Sequence, residues 1–164
     1  MSKSFTLLGI LAAALFAFTP GAMAGSITFG AKAGPMVFDP PGNVDISDAT
    51  NAGVAVGWEQ GIVVGDLGVE AEFTTTIDKG KIFNQDLEID TFGGYVTYRS
   101  PGFIYLKGRM GFTNWEVSSG GVTDDDTSES IGVGLGFSLA LIKFELDYTR
   151  IDDDIDFISI GVQF

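Results

Sequence analysis

The chain has 164 residues, 22 acidic against 9 basic side chains, no His, no Cys, 23 glycines and a formal net charge of −13. The length fits a single domain, and the acidity excludes a nucleic-acid partner, whose phosphates must be neutralised by Lys and Arg. Without His or Cys, Ser–His and Cys–His nucleophiles are excluded as well, and the chain is expected not to be an enzyme.

Residues 1–24 have the form of a secretory signal peptide. Lys3 supplies the positive start, residues 5–18 are apolar and uncharged, Thr19-Pro20-Gly21 breaks the run, and Ala22-Met23-Ala24 has the A-x-A form of a cleavage site. The apolar run is too short for a good spanning helix. Residues 25–164 are then expected to be the mature domain.

No later stretch approaches the ~20 apolar residues of a transmembrane helix. Period two, the strand signature, takes over instead. It runs through residues 26–34, 52–59, 67–75, 91–99, 103–112, 131–139, 142–149 and 157–164, which predicts eight strands. One face of each is apolar, as in Ile131, Val133, Leu135, Phe137 and Leu139. Short links at Val63-Val64-Gly65-Asp66, Ser100-Pro101-Gly102 and Ala140-Leu141 are hairpin turns. The others, over 39–51, 78–86, 118–130 and 150–154, are longer and polar. An even number of antiparallel strands with short turns at one end and long loops at the other predicts an all-β, up-and-down transmembrane β-barrel. Closure leaves no unpaired strand edge, as hydrocarbon demands.

A secreted lipocalin-like barrel also alternates, with its apolar face turned inward. The second face decides between the two. It carries Lys32, Glu59, Glu70, Glu72, Arg99, Lys107, Arg109, Lys143, Glu145 and Asp147, five positive and five negative. Inside a narrow eight-stranded barrel such charges must pair, and a zero sum fits that requirement. Glu70 and Glu72 are expected to meet Lys107 and Arg109, with Glu145 and Asp147 in the same lumen network. Gly132, Gly134 and Gly136 are expected to make room for Tyr105, Lys107 and Arg109.

The chain resembles the small eight-stranded bacterial outer-membrane barrels of the OmpA/OmpX type over its whole mature length. The most specific element is the last strand, where Ile158, Ile160 and Val162 alternate up to a terminal Phe164. The resemblance implies that the barrel-assembly machinery recognises this end, that the long loops face outside the cell, and that the neighbours are outer-membrane lipid and lipopolysaccharide. Phe164 is accordingly expected to matter for insertion more than for stability. A monomer is expected. The role implied is structural, in envelope integrity. A surface-interaction role through acidic outer loops is the alternative, and a soluble binding barrel the more distant one.

No cofactor is expected. IGVGLGF lies within a strand with no helix behind it, so it is no nucleotide loop. Sixteen acidic residues fall on the long-link side against Lys79, Lys81 and Arg150. Among them Asp124, Asp125 and Asp126, and Asp152, Asp153 and Asp154, lack EF-hand spacing. At most they hold Ca²⁺ or Mg²⁺ loosely, as rim sites.

Overall fold

The computed structural model describes residues 25–38, 46–82 and 85–164. The expected signal peptide and most of the first long link lie outside them. The strands are β1 (Ser26–Phe38), β2 (Ile46–Ser47), β3 (Ala49–Ile62), β4 (Gly65–Asp78), β5 (Gly80–Ile82), β6 (Gln85–Arg99), β7 (Ile104–Ser119), β8 (Val122–Leu139), β9 (Ile142–Asp152) and β10 (Ile155–Gln163).

Eight of these close into an antiparallel barrel in the order β1-β3-β4-β6-β7-β8-β9-β10, with β10 back against β1. The short β2 and β5 extend the sheet beside the outer end of β6. Following the register once around from Met36 through Phe157, Thr149, Gly132, Arg109, Thr97, Gly68 and Glu59 returns to β1 at Ser26. The stagger is therefore ten residues over eight strands. With a rise of about 3.3 Å and a strand spacing of about 4.8 Å, it tilts the strands about 40° from the barrel axis. Each residue then climbs about 2.5 Å along the axis.

Alternation fixes what each side meets. Ile131, Val133, Leu135, Phe137 and Leu139 on β8 all point outward and are exposed, as are Ile104, Leu106, Met110 and Phe112 on β7. The intervening positions point into the lumen and are mostly buried. The outward band on β8 spans about 20 Å and, with its apolar turn, approaches the ~25 Å of an outer-membrane barrel. At the short-turn end the turns continue the band: Val63, Val64, Phe103 and Leu141 are exposed and apolar.

Two expectations need correction. The links over 118–130 and 150–154 are not loops but hairpins. β7 and β8 continue to a two-residue turn at Gly120-Gly121, and β9 and β10 to one at Asp153-Asp154. Gly120 and Gly121 have φ of 58° and 83°, the left-handed pair that a tight primed turn requires and glycine supplies. The outward apolar pattern stops at Phe112 and Ile131, but pairing does not, because a strand above the membrane has no need of an apolar outer face. The lumen, expected to be charged, is also charged over only part of its length. Its long-hairpin end holds a buried apolar cluster of Met36, Ala49, Ile89, Ile151, Ile155 and Phe157, against which Phe38, Trp115 and Val117 pack.

Candidate functional site

The lumen holds the largest convergence of ionisable side chains among the described residues, and the register explains how. Successive inward positions on a strand are two residues apart, so β7 presents Tyr105, Lys107 and Arg109 in a column facing Gly136, Gly134 and Gly132 of β8. A methyl group on Gly136 would strike the Tyr105 ring, and one on Gly132 would lie 2.8 Å from Arg109 Cγ. Gly134 makes room for the Asp147 carboxylate rather than for Lys107.

From the short-turn end, Lys143 binds Glu59, and Glu59 also binds Arg99. Arg99 Nε donates to Glu145 Oε1 at 2.8 Å, and the Tyr105 hydroxyl donates to the same oxygen at 2.9 Å. Lys107 Nζ lies 2.7 Å from Glu145, 3.3 Å from Asp147 and 3.8 Å from Glu70. One layer further, Arg109 Nη1 lies 2.8 Å from Glu72 and 3.5 Å from Glu70. Lys32 reaches Glu72 at 2.6 Å and Asp147 at 3.6 Å. The Arg109 guanidinium covers the face of Tyr95 at 3.4 Å, a cation–π contact, and Tyr95 shares a 2.7 Å hydrogen bond with Thr113. All ten charges therefore face the lumen and link through shared partners. Lys107 differs from expectation, since its shortest pair is to Glu145 of β9 rather than to a carboxylate of β4.

Above the charges the polar groups become neutral. The Thr74 and Thr91 hydroxyls share a hydrogen bond of 2.7 Å, and Asn51 donates to Thr74 at 3.2 Å and to the Ile89 carbonyl at 2.9 Å. The apolar cluster follows directly. It was missed because the inward face was followed only as far as the outward apolar residues ran. The signal is present: the parity that carries Lys32 continues to Met36, that of Thr91 to Ile89, that of Thr113 to Trp115 and Val117, and that of Thr149 to Ile151.

The acidic rim does not converge. Extended backbone sends Asp124 and Asp126 to one face and Asp125 to the other. Asp125 stands opposite Glu116, which stands opposite Asp90. Asp152 is taken by Ser128, whose Oγ donates to it at 2.7 Å, while Asp153 and Asp154 form the turn. Among the described residues, no group of three or more acidic side chains is placed to hold a metal ion. Nearby, Lys79 lies 2.5 Å from Glu88 and 3.4 Å from Asp86, and these hydrogen bonds raise its pKa.

The last strand points Ile158, Ile160 and Phe164 to the exposed outer face, with Val162 in the same register. Phe164 also does something the sequence did not suggest. Its N–H donates to Phe29 O at 2.9 Å and its carbonyl accepts from Phe29 N–H at 2.8 Å, and the two rings sit 6.4 Å apart. It is the last rung of barrel closure, so its deletion touches stability as well as any recognition of the end.

A closed sheet, apolar outside over one bilayer-high band and charged inside, defines a transmembrane β-barrel. The chain belongs to the outer membrane protein beta-barrel domain family, whose model matches residues 10–164, and it is a protein of the bacterial outer membrane. Among solved structures it is similar to Neisserial surface protein A (TM-score 0.55, 17% identity, 85% of this chain and 97% of that one). It is also similar to Ail, the attachment invasion locus protein of Yersinia pestis (TM-score 0.46, 18% identity, 85% and 97%). At 17% identity the likeness to Neisserial surface protein A is one of fold. No curated protein matches the chain.

Proposed function

We propose that the chain is a sealed, monomeric barrel with a structural role in the outer membrane, not a pore and not an enzyme. The carrying observation is the double closure of its lumen. A network of ten paired charges fills the short-turn half, and a buried apolar cluster fills the other. Eight strands leave an interior only wide enough for side chains. Removing either layer alone would still leave the other as a barrier. The outer-membrane lipid, with its lipopolysaccharide, is the medium this wall is built for, and the barrel-assembly machinery is the partner that the alternating, Phe-terminated last strand fits.

The test is electrical and genetic. Purified barrel in a planar bilayer should give no conductance steps, and a deletion strain should become more permeable to detergents and bulky antibiotics. Regular single-channel steps from the native chain would overturn the sealed reading. An intact permeability barrier in the deletion strain would remove the envelope role.

A second reading is a surface-interaction barrel. It is favoured by the raised end of β8, where residues 122–127 are exposed and pair with β7 but have no β9 partner. That free edge carries Asp124, Asp125 and Asp126, so it repels a second copy of itself and suits a cationic, extended partner. Changing these three residues to Asn should abolish cell-surface capture of basic peptides under this reading, with barrel assembly unchanged.

A further inference from the structure

The outer wall is not uniformly smooth. A groove of about 910 Å³ crosses it, lined almost wholly by apolar side chains. Its course follows the register. Ala31, Val162, Phe144, Phe137 and Ile104 form one row across five strands, and Ala33, Ile160, Leu146 and Leu135 form the row above. The groove runs between these rows. At the short-turn end it is walled by Phe103, Phe137 and Phe144, with Phe137 and Phe144 stacked at 4.9 Å and Phe103 6.2 Å from Phe137. At its upper end it opens on the two methyl groups of Ala31 and Ala33. Because the strands tilt about 40°, a row perpendicular to them climbs about 3 Å per strand, and the groove rises roughly 17 Å. That is about two-thirds of the ~25 Å apolar band, so most of the groove lies in its periplasmic half.

We propose that this groove is a binding site for one acyl chain of a phospholipid of the periplasmic leaflet. The occupant follows from position. The groove is continuous with the lipid-facing band, starts at the level of the Ser100-Pro101-Gly102 turn, passes mid-membrane near Ala31, and ends about two-thirds of the way up the band at Ala33. The headgroup lies at that turn and the methyl end of the chain lies over Ala31 and Ala33. A chain lying there makes dispersion contacts on three sides that a smooth convex wall would not offer.

The site has a consequence for closure. Its upper part crosses the seam between β1 and β10, the pair that joins the first barrel strand to the last. The seam is irregular there: pairing is recorded at Ala33↔Ile160 and Met36↔Phe157 but not at Gly34 or Pro35 between them. Pro35 has no N–H to donate, and a methyl on Gly34 would collide with the Ile158 carbonyl. The bound chain ends at Ala33 and Ile160, directly below this stretch, and covers the regular part of the seam from outside.

The experiment uses the barrel in phosphatidylethanolamine nanodiscs doped with a phospholipid bearing a nitroxide near the start or near the end of one acyl chain, read by NMR line broadening. The early label should broaden Phe103 and Ile104 more than residues at equal depth on the opposite wall, and the late label should do so at Ala31 and Ala33. Ala31→Leu with Ala33→Leu fills the upper groove and should abolish the excess there. Should that variant fail to assemble, Phe137→Ala removes the lower wall and should abolish the excess at Phe103. Broadening that depends only on depth would overturn the proposal. So would an excess reproduced by a spin-labelled second copy of the barrel, which would make the groove a protein interface.

Discussion

The lower and upper halves of this barrel are built from the same eight strands and have opposite polarity. In the lower half Leu135 and Leu106 face outward and Lys107, Glu145 and Asp147 face in. In the upper half Asp90, Glu116 and Asp125 face outward, and Ile89, Trp115 and Phe157 face in. The exchange occurs at one level on both sides: outside between Phe92 and Asp90, Phe112 and Asn114, and Ile131 and Glu129, and inside between Thr91 and Ile89. The backbone is indifferent to the change. What differs is the solvent, hydrocarbon around one half and water around the other, so the level of exchange locates the outer boundary of the membrane. Below it the protein resembles a soluble fold turned inside out; above it the ordinary arrangement returns.

The sharpest way to break the lower half is to remove one member of its charge network. Arg109→Ala leaves Glu72 to Lys32 and Glu70 to Lys107 beside a neutral cavity, and breaking a buried pair from one side typically costs ~3–5 kcal/mol. The guanidinium stacked on Tyr95 is lost too. Urea unfolding in detergent should show this cost, and Glu72→Ala in the same chain should restore part of it, with Lys32 left to Asp147. Strict additivity would mean that the two do not interact.

A single substitution placed at two heights tests the polarity exchange itself. Leu135→Arg puts a charge on the lipid face within the band and should cost ~2–4 kcal/mol. Thr127→Arg, four residues above Ile131 on the same strand and the same face, should cost within about 0.5 kcal/mol of nothing. Equal costs would mean that the boundary has been placed at the wrong level.

These two halves were not equally legible in the sequence. The lower half announces itself, because apolar residues outside and balanced charges inside give every strand a period of two with chemically distinct faces. The pairings within the network were legible only in part. Glu72 with Arg109 follows from comparable depth, but Lys107 with Glu145 depends on β9 standing next but one to β7, with only the glycines of β8 between them at that level. The upper half was mistaken for loops. Its outer face is polar, as loops are, and its inner apolar residues come one or two to a strand over six strands, Met36 and Phe38, Ala49, Ile89, Trp115 and Val117, Ile151, and Ile155 and Phe157, so that no one strand displays a long run.

Smaller changes sharpen the comparison. Ile89 is fully buried in the upper cluster, and Ile89→Val should cost ~0.5–1.5 kcal/mol, as in the core of a water-soluble protein. The same shortening at exposed Ile160, which faces lipid, should cost little because lipid fills the space. Equal costs at the two sites would argue that the upper cluster is not packed as a core. Smallest of all, Ala140 holds φ of 56° in the turn between β8 and β9. Ala140→Gly relieves a conformation that costs a residue with a Cβ roughly 1 kcal/mol; an unchanged or lowered unfolding midpoint would mean that the turn carries no such strain.

The apolar short turns give the molecule a preferred direction of travel. Val63, Val64 and Leu141 lead that end with almost no polar burden, whereas the opposite end carries the acidic hairpins. Added to preformed liposomes, the barrel should therefore enter turns first and finish with its hairpins outside every vesicle, where a protease could nick them. In a cell the chain arrives from the periplasm, the side on which those turns finish. There the acidic hairpins must go through first, and the spontaneous route runs the wrong way.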